Sequence, residues 1–391
     1  MKRDDIILFS TADWDNPFWT NKQHVAVELA RRGHRVLYVE SIGLRQPSVT
    51  GADISRLARR LIKGLSGARK VRNGLWVWSP LVIPFQRYSI IRKINRFLLN
   101  AGLAACLVFL RFERSIAWTY NPLTTRFFNI SNFKKVIYHC VDEIKAQPGI
   151  PADIVDVAEK ELTKSCNICF VTSEHLLKTR KEWKAETYYF PNVADYTHFS
   201  KALGNRLTIP KDLQDVPSPR IGFVGAISRY KIDFELIESM AISHPEWSIV
   251  LIGKVGEGDP DTEVSAIEKL PNVYLMGPRP YEVLPAYLKG LDVALLPNKI
   301  NAYTQAMFPM KFFEYIAAGK PVVATNLNAL SAFSEACSLA EDHDSFIRRV
   351  EEALSDPIEK VEKRLELARN HTYEQRTARM MDLVNALGAL Q

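Results

Sequence analysis

Short apolar runs alternate along this chain with segments whose apolar residues recur every three or four positions. The runs at 6–10, 35–39, 75–79, 116–120, 136–140, 168–172 and 187–190 predict strands. A helix is predicted over 21–32, with Gly33 suited to close it. A second series begins at Arg220, with strands at 221–224, 248–252, 273–276, 293–296 and 321–324 and helices at 234–243, 285–289 and 311–318. Residues 344–390 read as charge-rich helix, ending in an amphipathic segment at 373–387. Near-continuous apolar strands alternating with helices predict parallel sheets covered on both faces. The expected fold class is α/β: two doubly wound, Rossmann-like parallel-sheet domains facing across a cleft, with ligands at the C-terminal ends of the strands. The expected boundaries are a first domain at 1–202, a polar, proline-bearing linker at 203–219, a second domain at 220–370, and a helix at 371–391 packing across the domain boundary.

Composition agrees with this division. A chain of 391 residues is long for one domain, and 47% hydrophobic residues exclude disorder for most of it. The longest apolar stretch, 98–110, is interrupted by Asn100 and is shorter than the roughly 20 residues that a membrane span needs. The start, Met1-Lys2-Arg3-Asp4-Asp5-Ile6, has no signal-peptide core, so a cytoplasmic location is expected. Five cysteines, an odd number, fit a reducing compartment, and the lone Cys166-Asn-Ile-Cys169 reads as structural.

Charge changes the picture more. Between residues 45 and 115 there are 14 Lys and Arg against only Asp53 and Glu113. Within 53–70, Ile54, Leu57, Ala58, Leu61, Ile62 and Leu65 share one helical face, and Arg56, Arg59, Arg60 and Lys63 fall off it. Such a helix suits an anionic membrane surface, and equally a helix packed on its own domain with a solvated basic side. Segment 88–110, basic first (Arg92, Lys93, Arg96) and then apolar, favours the membrane. The expectation is a membrane-facing region at 45–115 and a peripheral protein on the inner face of the cytoplasmic membrane. Aliphatic rather than aromatic interleaving argues against nucleic acid.

Candidate chemistry narrows by exclusion. The first strand-to-helix turn, residues 10–24, contains no glycine, which disfavours a dinucleotide fold and hydride transfer. No P-loop and no metal-ligand cluster appear in the sequence. Asp13-Trp-Asp15 and Asp259-Pro-Asp261 could hold a metal-bound pyrophosphate, but they read as capping or positioning carboxylates in loops, the second in a solvated turn. In the second series a strand ends at Gly225, followed by Arg229 and Lys231, a pair able to neutralise a diphosphate. Further on, Pro309 starts a helix that carries Glu314 in its early turns, where a carboxylate can accept two hydroxyl hydrogens, as from a ribose.

The segment Phe308-Pro-Met-Lys-Phe-Phe-Glu-Tyr-Ile-Ala-Ala-Gly-Lys-Pro-Val-Val-Ala324 resembles the nucleotide-sugar signature of GT-B glycosyltransferases of the retaining family-4 type. Asn272-Val-Tyr-Leu-Met-Gly-Pro-Arg-Pro-Tyr281 resembles the stretch upstream of it, while Tyr138-His-Cys-Val-Asp-Glu143 and Pro191-Asn-Val-Ala-Asp195 fit the first domain's inter-domain edge. The likeness is greatest to bacterial enzymes of surface-polysaccharide assembly (teichuronic acid, capsule and O-antigen). It implies a hexosyltransferase-type enzyme that moves a sugar from a nucleoside diphosphate, UDP favoured, to a lipid-linked glycan, without metal or other cofactor. The implied donor contacts are Gly225, Arg229, Lys231, Arg279, Lys311 and Glu314, with Glu314 on the ribose and Lys231 on the phosphates. His139 would face the donor sugar, Asp142 and Glu143 would orient the acceptor, and His139, Asp142 and Lys231 are the catalytic candidates. Trp14, Asn16 and Trp19 replace the family's glycine pair in the first loop, as acceptor-reading residues or core aromatics. Ala226 stands where the family has an arginine, and Ala306 where it often has a second glutamate, which leaves retaining or inverting stereochemistry open. Two alternatives share these features: a GT-B nucleotide-sugar 2-epimerase, opposed by the basic 53–70 segment, and an inactive membrane-associated scaffold, opposed by Glu314 and Lys231.

Overall fold

The computed structural model describes residues 3–16, 19–42, 67–83 and 88–387. The chain divides into two units, Met1–Phe190 with Thr377–Gln391, and Pro191–Arg376.

In the first unit the strands are β1 (Asp5–Phe9), β2 (Arg35–Val39), β3 (Arg69–Arg72), β4 (Leu75–Trp78), β5 (Ile116–Thr119), β6 (Lys135–Cys140), β7 (Ile168–Val171) and β8 (Thr187–Tyr189). They form one sheet in the order β3-β4-β2-β1-β5-β6-β7-β8, parallel except for β3 against β4. The central strand β1 pairs Ile6 with Val36 on one side and with Ile116 on the other. Every residue of β1 is buried, because helices cover both faces. The covering helices are α1 (Asn21–Arg31), α2 (Ser89–Leu110), α3 (Ala152–Ser165) and α4 (Glu174–Lys181).

The second unit carries β9 (Arg220–Val224), β10 (Ser248–Ile252), β11 (Val273–Gly277), β12 (Val293–Leu296), β13 (Val322–Thr325) and β14 (Ser338–Ala340). Their order is β11-β10-β9-β12-β13-β14, and all pairs are parallel. Its main helices are α5 (Phe234–Ser243), α6 (Leu284–Lys289), α7 (Ala302–Ala306), α8 (Met310–Ala317), α9 (His343–Leu354) and α10 (Ile358–Arg369). The last helix, α11 (Tyr373–Ala386), begins in this unit and belongs to the first from Thr377 onward. There Lys135 donates through its ammonium to the Val384 carbonyl.

Several expectations are corrected. The division falls at Phe190, so the segment Pro191–Asp195, expected at the first domain's edge, lies in the second unit. The expected linker, 203–219, also folds into that unit, as a helical turn at Lys211–Gln214 whose Leu213 is buried with Leu288 and Leu291. A polar composition hid two apolar anchors, Leu213 and Val216. The expected basic helix at 53–70 ends differently, because Arg69 and Lys70 lie in β3, paired with Val77 and Trp76. Arg56, Arg59, Arg60 and Lys63 lie outside the described residues. The apolar stretch 98–110 is the end of a 22-residue helix, long enough by itself to cross a bilayer. All five cysteines are buried and free, and burial pushes the Cys166 thiol up to about 12, as a structural pair requires.

Between β6, α3 and α4 sits a buried ionic cluster. The Arg180 guanidinium donates to both oxygens of Glu143 (2.7 and 2.9 Å) and both oxygens of Glu159 (2.8 Å each). Glu159 also accepts from the Tyr138 hydroxyl at 2.7 Å. One cation serves two carboxylates, and all three side chains are sealed from water. Arg180→Met should therefore cost about 3–5 kcal/mol, because it strands two buried charges. Urea unfolding followed by tryptophan fluorescence checks this, and a loss below about 1 kcal/mol, the level of a surface pair, would contradict it.

Candidate active site

In the second unit the signature helix and the first strand are joined by one side chain. Strand β12 pairs with β9 only at Val293–Ile221 and Ala294–Gly222. Beyond that point the Val224 backbone needs another partner, and Tyr315 of α8 provides it. The Val224 N–H donates to the Tyr315 hydroxyl at 2.8 Å, and the hydroxyl lies 3.2 Å from the Val224 carbonyl. Burial pushes this phenol far up, so it stays neutral and keeps its proton to donate. The helix that holds Glu314 is thus tied to the residue before Gly225.

The loop after β9 packs on the loop after β10. An added Cβ on Gly253 would lie 1.7 Å from the Gly225 carbonyl, so only glycine permits this approach. Ile227 and Gly256 continue the contact through backbone bonds to Lys254 and Ile227. Asp259, expected in a solvated turn, is buried instead and pairs with Arg229 (3.2 Å), whose side chain is mostly exposed. Lys231 is held differently. Its carbonyl accepts from Lys299 N (2.8 Å) and from the Asn298 amide (3.2 Å). Its ammonium lies 5.2 Å from the Tyr230 ring and 5.6 Å from the Tyr303 ring, with no carboxylate paired to it among the described residues. Aromatic faces steady a cation without neutralising it, so Lys231 keeps its charge for an anion.

Helix α8 starts at Met310, with Pro309 as the residue before it rather than its first member, and Gly319 follows it at φ 74°. Glu314 is buried, and Lys311 donates to it at 2.8 Å, one turn back on the same face. Burial first, and then the Glu314 charge, push the Tyr281 phenol up. Tyr373 is raised chiefly by burial and also feels Glu314. Tyr281 stacks on His198 at 4.3 Å, and His198 reaches the Tyr281 carbonyl at 2.9 Å. The buried carboxylate thus has Lys311 as its counter-charge.

The other expected residues divide. Arg279 is engaged by the Tyr287 hydroxyl (2.6 Å) and the Asp212 carboxylate (2.7 Å), which moves it from donor contact to a structural tie. Both Glu143 oxygens are taken by Arg180, a partner 37 residues away in sequence, so Glu143 is reassigned as structural. His139 is fully buried among Trp118, Tyr120 and Phe170, with ring centroids at 6.0, 4.7 and 6.2 Å, so contact with a sugar would require this cage to open. Asp142 follows β6 and is half-buried. Trp14 is a core aromatic against Tyr38, and its backbone N–H donates to the Glu40 carboxylate. Trp19 is half-buried under the Arg72 guanidinium at 5.4 Å, and Asn16 closes a turn on the Asp13 carbonyl. Ala306 is buried at the end of α7. The sequence reading missed Tyr315, Tyr230, Tyr303 and Tyr281. The signal was present only as tyrosines next to the chosen residues, since their roles depend on contacts across 71 to 91 positions.

Lys311→Met should lower stability at pH 7 by about 1.5–3 kcal/mol, the worth of a hydrogen bond to a charged group, by leaving Glu314 without its counter-charge. Adding Glu314→Gln should return part of the loss. Thermal unfolding of the single and double variants measures both, and additive losses would show that the pair is not coupled.

Residues 218–356 match the family model described as "Glycosyl transferases group 1". A curated relative, the putative teichuronic acid biosynthesis glycosyltransferase TuaH of Bacillus subtilis (strain 168), is 28% identical over 232 residues, covering 56% of this chain and 57% of that protein. The match therefore spans little more than half of the relative's length. Among solved structures, sucrose-phosphate synthase from Thermosynechococcus elongatus aligns over 100% of both chains with a TM-score of 0.70 at 17% identity. WaaG, a glycosyltransferase involved in lipopolysaccharide biosynthesis, aligns with a TM-score of 0.65 at 14% identity over 97% of this chain and 99% of its own. Anabaena HepE in complex with UDP gives 0.65 at 11% identity over 98% and 100%. Residues 218–356 thus match a group 1 glycosyltransferase domain, and the fold along the length of the chain is the GT-B fold of the glycosyltransferase structures it resembles.

Proposed function

We propose that this protein transfers a hexose from a nucleoside-diphosphate sugar, UDP-sugar favoured, to a lipid-linked glycan in cell-surface polysaccharide synthesis. The observation that carries this reading is the pairing of Glu314 and Lys231 on one frame. Glu314 offers a buried carboxylate to two ribose hydroxyls. Lys231, in the loop after β9 and steadied over two aromatic rings, would meet the diphosphate. A likeness to a putative teichuronic acid biosynthesis glycosyltransferase and a fold shared with Anabaena HepE, solved in complex with UDP, support the acceptor class and the base. The excess of 14 Lys and Arg over two carboxylates at 45–115 supports a place on the inner face of an anionic membrane.

The chemistry asks for charge at one point. As the bond from the sugar to the diphosphate breaks, negative charge grows on the leaving phosphate, and a fixed cation there lowers the barrier. Lys231 and Arg229 are the residues proposed to supply it. Arg229 is partly spent on Asp259, and Asp15 is paired with Arg69 (2.8 Å), so one carboxylate of each D-x-D motif is bound to an arginine of this chain. The reaction is proposed to retain anomeric configuration and to need no divalent metal.

Incubation with UDP-, GDP- and ADP-sugars tests the reading. Release of free nucleoside diphosphate on addition of a lipid-linked acceptor supports it, interconversion of the nucleotide sugar would make the protein an epimerase, and neither would make it a scaffold. Glu314→Ala should weaken nucleotide binding by about 1.5–3 kcal/mol in calorimetry, the loss of charge-assisted hydrogen bonds. Lys231→Ala should cost about 2.7–4 kcal/mol in transition-state stabilisation, while turnover in excess EDTA stays within a few-fold of that with magnesium. Strict dependence on a divalent ion would overturn the assignment of charge to Lys231.

A further inference from the structure

Helix α2 has two unlike faces. Its inner stripe, Asn95, Leu99, Leu103 and Cys106, is buried in the first unit's core. The Asn95 amide clasps the Ile83 backbone with two hydrogen bonds of 2.8 Å. Asn100 donates to the Phe127 carbonyl at 2.8 Å. Gly102 lets Trp78 come so close that an added Cβ would sit 2.7 Å from its ring. At the far end, Arg35 holds the Leu110 and Arg111 carbonyls.

The outer face is apolar and open. Ile90, Ile94, Phe97, Ala101, Ala104 and Val108 recur at i, i+4, i+7, i+11, i+14 and i+18, which is one side of a helix. Ile90 is 62% exposed, Phe97 72%, Val108 78% and the adjoining Phe109 74%. Large apolar side chains so exposed, in one row about 27 Å long at 1.5 Å per residue, mark an interaction surface rather than scattered surface residues. Exposed Lys93 and Arg96 flank the row, Arg92 lies near its start, and exposed Arg111 and Arg114 follow its end. The sequence from 45 to 115 opposes its 14 cations with only two carboxylates.

We propose that α2 lies in the interface of an anionic bilayer, its outer face among the acyl chains and its flanking cations at the headgroups, and that it does not span the bilayer. The length and composition of α2 would permit a span, but the inner stripe is already committed. Asn95, Asn100 and the Gly102–Trp78 contact tie the helix along its length to a unit that cannot enter hydrocarbon. One free apolar face with basic flanks is the geometry of an interfacial helix. Anionic lipid is the occupant that satisfies both the apolar row and the cations, whereas a second copy of this chain would set like charges against each other. This inference rests on the membrane placement proposed above and supplies its contact surface. It shifts the attachment from charge alone to charge plus insertion, so part of the binding should resist salt.

The test uses full-length protein and vesicles, either of phosphatidylcholine alone or of equal parts phosphatidylcholine and phosphatidylglycerol. Wild type should float with the anionic vesicles, and a fraction should remain bound when salt rises from about 0.1 M to about 1 M, where screening removes most of the charge attraction. The triple change Ile94→Gln, Phe97→Gln and Val108→Gln should lower the partition coefficient at least about tenfold while leaving nucleotide binding unchanged. Phe97→Trp keeps the face apolar, and the fluorescence of the introduced indole should be quenched by lipids brominated near the headgroup end of the acyl chain. Wild type that ignores both vesicles would remove the membrane placement itself. Wild type that floats while the triple variant floats equally well would overturn the role given to α2. So would quenching of the Phe97→Trp variant that is strongest with lipid brominated at the chain end. Concentration-dependent dimers without lipid, lost in the triple variant, would reassign the face to a second copy of this chain.

Discussion

Parallel strands bring all their C-terminal ends to one edge of a sheet, and the second unit is organised by that constraint. Loops after β9, β10 and β12 must meet there, so a short stretch of each can build one site from residues far apart in sequence. The cost is at the splay between β9 and β12, where pairing stops after Gly222 and the backbone of Val224 would be left without partners. Tyr315 fills that gap from the opposite direction. Its hydroxyl meets both the N–H and the carbonyl of Val224, which fixes the signature helix against the strand end. Glu314 is the residue before Tyr315, so the same contact that repairs the sheet sets the place of the carboxylate.

Charge is treated in two ways in this molecule. In the first unit, Arg180 is shared between Glu143 and Glu159 out of water, and the cluster ties β6, α3 and α4 together. In the second unit, Lys231 is left without a carboxylate among the described residues and rests on the faces of Tyr230 and Tyr303. An ion pair there would compete with any anionic ligand, whereas a ring quadrupole holds the ammonium in place and leaves its field intact. Arg229, bonded to Asp259, is intermediate between these cases.

The outer face of α2 belongs with the same division of labour. One unit carries a basic, apolar surface suited to a lipid phase, and the other carries the carboxylate and cation suited to a nucleotide. The transfer proposed above, from a soluble sugar donor to a lipid-held acceptor, would use both.

How much of this was written in the sequence follows from the range of the interactions involved. Apolar runs and helical periodicity are local, and they placed β1, β2, β9, β10 and β12 within a residue or two. The GT-B fold was legible because the signature at 308–324 is contiguous, and Glu314, Gly225 and Lys231 were chosen as candidates from short stretches of sequence. The roles of Glu143, Arg279 and Trp14 were not legible. Arg180, Asp212 and Tyr38, their partners, are distant in sequence, and nothing local distinguishes a carboxylate awaiting a ligand from one already paired. The same holds for α2, whose run of apolar residues reads alike whether the helix is core, span or surface. Which of its faces is open was decided by Asn95, Gly102 and Trp78, that is, by packing. Sequence by itself determined the elements, the class of fold and the signature residues, because those depend on near neighbours. Tertiary structure alone decided which charges are spent and which are available, because a charge's partner is whatever the fold brings beside it.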